Sequence, residues 1–530
     1  MPTLHLKPDS LPQTGDTQIV SASSLSLSLP QPPKSFYRHG WQSWSLTTWM
    51  DPVHELPVMK PTSFLSRQTD PVYARHLHPN GSWLGAVELE DGSIVFLGAL
   101  GLEAHVATRE GHLQGWYETG GGDWFIAHGK ESEIFEQYAD LLGERLGGHS
   151  NKKPPRVWCS WYSLYDKINE NNLQKTLAGL EDLPFDVFQI DDGWQVSAGD
   201  WEPNDKFPSG MDVLAAKIKA TGRRAGLWLA PLAVGKSSTI YKQHPDWLLR
   251  DTNGKLFVAG FEWSTETFAL DTTHPEVIAW LKTLIHKVRN WGFDYLKLDF
   301  LSAGALPGRR YVDMPRETAY REALKTIREA AGDAYLILCG TPILPALGVC
   351  DAIRIGADVG NWWDSRFYSY LLYNQTTPGL MNGIRTSVNR LWIKPLVNVD
   401  PDVAFFSEIK LLTPEQKQLF LDLTEICGVK ATSDLPETWM ASQKSAIRRW
   451  LESSPAITRT GRYTFTINER KVDFSAVMPL PPVPKYLDAV IGEILGFLGN
   501  QIWALKLWHW FIRYSSMRKE SQNSGGLFSL

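Results

Sequence analysis

What most constrains this chain is a series of eight short, nearly continuous apolar runs between residues 157 and 433, most of them separated by helical patterns. They fall at 157–163, 187–192, 225–231, 295–300, 334–339, 352–358, 391–399 and 428–433. Strands that are apolar on both faces belong in a parallel sheet covered on each side. Residues 275–290 and 316–331 carry helical spacing, whereas the fifth and sixth runs are joined by too few residues for more than a turn or two of helix. Eight such units in about 280 residues predict a (β/α)8 barrel rather than an open doubly wound sheet. No Gly-rich phosphate-binding sequence follows a run, so nucleotide binding has no support.

The flanks read differently. Residues 1–150 hold short β-segments such as 21–29, 82–89 and 93–97, bounded by Pro, Gly and Asp, which predicts an N-terminal β-sandwich. The stretch 147–155, GGHSNKKPP, marks the break, and the barrel is assigned to 151–435. Alternating runs at 463–467 and 471–475, with Asn-Glu-Arg between them, predict a hairpin in a small C-terminal β domain over 436–480. The fold class is therefore multidomain, α/β plus all-β. Residues 481–530 are an atypical apolar tail whose longest uncharged run, 494–505, is twelve residues. A bilayer span needs roughly 20, so no transmembrane span is expected.

Composition excludes several classes. Fifty-three basic against 58 acidic residues, a net charge of -5, give no electrostatic footprint for nucleic acid. Cys159, Cys339, Cys350 and Cys427 are too few for a disulfide scaffold and fit a reducing compartment. The N-terminus has no cationic segment followed by an apolar run, which points to a cytoplasmic protein. The oligomeric state is left open. Tryptophan is in excess at 23, which offers flat walls for sugar faces or else a large aromatic core.

A (β/α)8 barrel places its chemistry at the C-terminal ends of the strands. Those positions hold Trp161, Asp191 with Asp192, Trp228, Lys297 with Asp299, Cys339, Arg354 with Asp358, Asp400 with Asp402, and Asp434. Any one Asp there could equally cap the next helix, but carboxylates at five or more ends of one mouth are harder to dismiss. Lys297 and Asp299 are two apart and share a strand face. An ammonium beside Asp299 would keep it ionised, as a nucleophile requires; the bland alternative is a structural ion pair. Asp358 precedes Val-Gly-Asn-Trp-Trp, a loop able to exclude water, and desolvation would hold a proton on it for general-acid work. With one strand between theirs, the two carboxylates would approach to about 5 to 6 Å, near the separation of retaining glycoside hydrolysis. Asp191 and Asp192 can accept from sugar hydroxyls, with Trp194 beside an apolar sugar edge. No histidine accompanies them at ligand spacing, so neither a metal nor a cofactor is expected.

With these residues in view, the chain resembles the α-galactosidases of glycoside hydrolase family 36, in the clan that also holds family 27. The likeness runs from about Arg38 to Asp434 through ordered motifs: Gly40-Trp-Gln-Ser-Trp-Ser45, Trp158-Cys-Ser-Trp-Tyr162, Asp191-Asp-Gly-Trp194, Lys206-Phe-Pro208, Gly226-Leu-Trp-Leu-Ala-Pro231, Lys297-Leu-Asp299, Cys339-Gly-Thr-Pro342, Arg354-Ile-Gly-Ala-Asp358 and Asp400-Pro-Asp402. The resemblance implies Asp299 as nucleophile and Asp358 as acid/base. It also implies Asp191 and Asp192 on galactose O4 and O6, Lys297, Cys339 and Arg354 on the O2 to O4 side, and Trp44, Trp194 and Trp228 as aromatic walls. Two departures stand out: Val399 intervenes between Asn398 and Asp400, and residues beyond Pro481 do not resemble the family's closing β-sandwich, so that domain is open to being incomplete. The implied substrate is a small α-galactoside of the melibiose or raffinose type. The rival readings are an α-N-acetylgalactosaminidase, a galactosyl-transferring relative, or a catalytically silent sugar-binding protein.

Overall fold

The computed structural model describes residues 2–56, 69–74, 76–148, 152–263, 265–364, 376–408 and 411–480. The apolar tail expected at 481–530 lies outside them.

The chain begins as two sheets. Thr3–Leu6, Ser24–Ser28, His112–Tyr117, Ala104–Arg109 and Asn80–Ser82 pair in that order. The second sheet runs Thr17–Ala22, Gly122–Gly129, Ile94–Ala99, Leu84–Glu88, Ser35–Arg38 and Thr48–Met50. The expected strand at 21–29 is in fact two strands. The chain crosses from one sheet to the other at Ser23, whose carbonyl accepts from Tyr117 N–H at 2.9 Å. The Ser-Leu alternation then buries Leu25 and Leu27 while keeping their serine neighbours on the other face.

The central sheet is parallel throughout. Its strands are β1 (Arg156–Cys159), β2 (Val187–Ile190), β3 (Arg224–Leu229), β4 (Tyr295–Leu298), β5 (Tyr335–Leu338), β6 (Ala352–Arg354), β7 (Asn398–Asp400) and β8 (Lys430–Thr432). They pair in the order β7-β6-β5-β4-β3-β2-β1-β8, and β8 then pairs in parallel with Val403–Ala404. Val403–Ala404 follows β7 through Pro401 and Asp402, so the two edges of the sheet are successive stretches of one segment. The sheet thus curls back on itself into a TIM-barrel-like unit. Asp402, at φ +87°, makes the turn between them. The helices Pro275–Asn290 and Arg316–Ala331 lie where the spacing predicts, and the link from β5 to β6 holds only the four-residue helix Ile343–Ala346.

Three expectations shift. The seventh run is strand only at its end: Leu391–Ile393 is a 3-10 turn, Pro395 cannot donate to a ladder, and Trp392 is instead buried with its Nε1 donating to Tyr37 Oη at 3.2 Å. Trp161 and Tyr162, expected within the first strand, open a short helix, Trp161–Leu164. Between β3 and β4 the chain inserts an antiparallel sheet of Ala233–Gly235, Thr265–Ala269 and Val258–Glu262, which the apolar-run pattern does not reveal. After the barrel come the helix Ala441–Glu452 and a sheet of Ile457–Arg459, Thr464–Ile467 and Arg470–Asp473. The last two form the expected hairpin, in the register Thr464↔Asp473.

A buried ionic seam joins the N-terminal sheets to the barrel. Glu317, in the first turn of the helix Arg316–Ala331, accepts from Trp41 Nε1 at 2.8 Å, Trp83 Nε1 at 2.9 Å and the Glu103 N–H at 2.7 Å. Arg316 reaches Asp70 at 2.6 Å and Glu118 at 2.5 Å. Burial, reinforced by Glu103, Asp70 and Glu118 against the pull of Arg316, pushes the Glu317 carboxyl up to about 8.

Candidate active site

Asp299 lies just past the end of β4, partly exposed. Its Oδ2 accepts from Trp228 Nε1 at 3.2 Å, and its Oδ1 from the Phe300 N–H at 2.7 Å. Phe300 sits in the left-handed region at φ +52°. Gly340, after β5, has φ +54°, and a Cβ there would stand 3.3 Å from Phe300 N and 3.4 Å from Asp299 Oδ1. The glycine lets the β5 loop close on the carboxylate.

Lys297 shares the inward face of β4 but does not pair with Asp299. Its Nζ donates to Asp191 Oδ2 at 2.8 Å, from β4 across to the end of β2. The same oxygen accepts from Gln189 Nε2 at 2.6 Å and Cys159 Sγ at 3.3 Å, and Oδ1 accepts from the Asp192 N–H at 3.0 Å. Asp191 is buried, and without this ammonium it would be an uncompensated charge, which explains where the lysine goes. Asp192 accepts from Gln195 Nε2 at 2.6 Å and Trp263 Nε1 at 2.8 Å; burial raises it to about 6.

Trp194 is not a wall of the mouth. Its ring is fully buried, 5.9 Å from Trp291, and its Nε1 donates to the Trp228 carbonyl at 2.9 Å. It backs Trp228, whose indole in turn reaches Asp299. Trp41, Trp201 and Trp228 itself are also buried, so much of the tryptophan excess is core.

Across the mouth, β6 ends at Arg354, and Asp358 stands in the loop beyond, its side chain 35% exposed. Arg354 donates from Nε to Asp400 at 2.8 Å, while its Nη1 lies 2.8 Å from Asp402 Oδ2 and 3.4 Å from Asp358 Oδ1. Crowding by protein, then the charges of Asp402 and Asp299, raise Asp358 to about 7 against the opposing pull of Arg354. Cys339 is buried behind this surface, with its thiol pushed up by that burial. Asp434 accepts from the N–H groups of Phe406 at 2.6 Å and Ser407 at 2.7 Å, so it serves the backbone rather than the mouth.

The segment 40–45 is gathered onto the barrel chiefly through its carbonyls. Arg390, fully buried, donates to the carbonyls of Gly40, Gln42, Ser43 and Ser45 at 2.7 to 3.0 Å, and to Ile355 beside Arg354 at 3.0 Å. Gln42 also bridges to Pro342, beyond the β5 end. Trp44 is half-buried on this segment. Sequence reasoning missed Trp263, Gln195, Tyr162 and Arg390. Gln195 had a signal, standing beside the Asp-Asp-Gly-Trp stretch, and Tyr162 closes a quoted motif. Trp263 lies on the unrecognised insertion, and Arg390 on a helix where nothing local marks it. Among the described residues, no group of three or more His, Cys, Asp or Glu side chains is placed to hold a metal ion, and no helix is long and apolar enough to cross a membrane.

The Melibiase family matches residues 122–328, a stretch that contains Asp191, Asp192, Lys297 and Asp299 but ends before Asp358. An α-galactosidase from Thermus thermophilus, solved with p-nitrophenyl α-D-galactopyranoside, superposes with a TM-score of 0.83 at 42% identity, over 88% of this chain and 96% of that one. The chain belongs to the family 36 α-galactosidases. The same Thermus enzyme in complex with stachyose gives a TM-score of 0.78 at 43% identity, over 83% of this family 36 chain and 96% of that one. Alpha-galactosidase AgaA from Geobacillus stearothermophilus is 28% identical over 210 residues, 36% of this chain and 28% of that protein. The chain therefore matches less than a third of that curated relative's length. Its crystal structure, at 16% identity and a TM-score of 0.55, shares the fold.

Proposed function

We propose that this chain is a retaining α-galactosidase that removes terminal α-linked galactose from small galactosides by double displacement. Asp299 attacks the anomeric carbon while Asp358 protonates the leaving oxygen. Asp358 then takes a proton from the water that releases galactose from Asp299. The observation that carries the reading is the contrast between two carboxylates at one mouth. Asp299 is ordered by two N–H donors, whereas Asp358 is raised to about 7 and remains open. An ionised nucleophile and a protonated acid are what the first step requires.

Asp191, Asp192, Lys297, Cys339 and Arg354, with Trp44, Trp228 and the buried Trp194 behind, form the proposed sugar site. We read the layout as a β-sandwich over 1–150, a catalytic (β/α)8 barrel over 151–435 and a small β domain over 436–480. The Thermus neighbour's complexes with p-nitrophenyl α-galactopyranoside and stachyose support raffinose-type substrates. A cytoplasmic setting fits the four free cysteines. NMR of the first product from an aryl α-galactoside should show α-galactose; β-galactose appearing first would reject retention. Asp299→Ala should lower turnover by roughly 10³-fold or more with the fold intact. A variant keeping about a tenth of wild-type activity would remove Asp299 as nucleophile. Parallel assay of an aryl α-N-acetylgalactosaminide separates the nearest rival, and galactose binding without turnover would favour a silent binder.

A further inference from the structure

Asp402 is a carboxylate that the proposed reaction leaves unused. It is fully buried, at φ +87°, and gathers four donors. The Val403 N–H donates to Oδ1 at 2.9 Å; the Val359 N–H at 3.0 Å, Arg354 Nη1 at 2.8 Å and the Tyr162 hydroxyl donate to Oδ2. Three of these belong to the surroundings of Asp358, Tyr162 among them. Val359 follows it in the chain, and Arg354 Nη1 stands between the two carboxylates, nearer to Asp402 at 2.8 Å than to Asp358 at 3.4 Å.

Resting on the reading of Asp358 as the acid/base, we propose that Asp402 is a positioning residue. By drawing Arg354 Nη1 to itself, it denies Asp358 a close ion pair and leaves that carboxyl its proton for the leaving oxygen. Asp400 assists by holding Arg354 Nε at 2.8 Å. Among the described residues, the other charged or titratable groups facing Asp358 are Asp299, Lys297, Tyr162 and Tyr165. Both tyrosines are held protonated by burial, and Lys297 is engaged by Asp191. Burial raises the Asp402 carboxyl as well, and the Arg354 cation opposes that rise. With Asp402 ionised beside Arg354, removing its charge acts twice in one direction: a repelling anion is lost, and Arg354 is freed to move onto Asp358. Both changes make Asp358 more acidic.

The test is Asp402→Asn, since Asn tolerates positive φ and keeps an acceptor oxygen. The readout is the pH profile of kcat/KM with methyl α-galactoside, whose poor leaving group needs the acid. The alkaline limb should move down by about one pH unit or more while the acid limb holds. An alkaline limb that stays within about 0.3 unit of wild type, or moves up, overturns the proposal. If Asp402→Asn does not fold, Asp400→Asn carries the test, with a smaller shift of the same sign expected and an unmoved limb equally fatal. Asp358→Asn separates the two levels. If it leaves the alkaline limb in place, the assignment of Asp358 fails and this proposal with it. If it removes the limb while Asp402→Asn leaves the limb unmoved, only the role of Asp402 is lost.

Discussion

At the barrel mouth Arg354 lies within 4 Å of Asp358, Asp400 and Asp402; at the seam with the N-terminal sheets Arg316 lies within 4 Å of Asp70, Glu118 and Glu317. Each cluster has one arginine and three carboxyl groups, two of them raised: Asp358 to about 7 together with Asp402, and Glu317 to about 8 together with Asp70. What differs is the state of the oxygens. Glu317 is closed off, with three N–H donors from Trp41, Trp83 and Glu103 on its carboxylate. Asp358 keeps 35% of its side chain open and, among the described residues, its carboxyl has only a long contact to Arg354. A raised carboxyl therefore does not by itself mark chemistry; the proposed acid/base is the raised one that is also accessible.

The largest test of that contrast is a pair of isosteric changes. Asp358→Asn should lower kcat/KM on methyl α-galactoside by roughly 10²- to 10⁴-fold. Glu317→Gln should leave kcat/KM within about tenfold, because both oxygens of Glu317 are engaged by N–H donors of the seam. If the two variants lose comparable activity, the seam and the mouth are not separable. Next comes the seam as a structural joint. Arg316→Met strands Asp70 and Glu118 without their cation, and chemical denaturation should show a loss of about 3–5 kcal/mol. A loss of less than about 1 kcal/mol would place the joint elsewhere.

The two clusters also differ in how far the sequence discloses them. The mouth is legible because a parallel barrel brings strand ends together wherever they fall in the chain, so Asp191, Lys297, Asp299 and Arg354 could be grouped before any contact was known. The pairing within the group was not legible. Lys297 and Asp299 share a strand face, but a four-carbon stem can reach past β3 to the end of β2, and burial of Asp191 decided its partner. Trp194 failed for a related reason, since the motif gives a ring's place in the chain but not which way it turns. At the seam, Glu317, Trp41, Trp83 and Glu103 lie apart in the chain, on a barrel helix and on connections between the N-terminal strands. No period or motif links them, and only the docking of the sheets onto the barrel brings them together.

The smallest of the expected effects is thermodynamic and belongs to the seam alone. Burial lifts Glu317 from its ordinary 4.5 to about 8, so the folded chain holds that proton more tightly than the unfolded chain. Asp70 and Glu103 are raised in the same direction. The stability this provides is fully present below the unfolded value and is lost as pH rises toward the folded one. Between pH 5 and pH 7 wild type should lose about 2–3 kcal/mol through Glu317. Glu317→Gln cannot titrate, so its stability should fall less steeply over that window. It should start lower, by about 1–3 kcal/mol, because its amide would meet the Trp41, Trp83 or Glu103 N–H groups with a donor. Denaturant titrations at the two pH values decide the matter. Parallel slopes for wild type and variant would mean that Arg316 keeps Glu317 ionised throughout, and that the seam is an ordinary salt bridge with no proton stored in it.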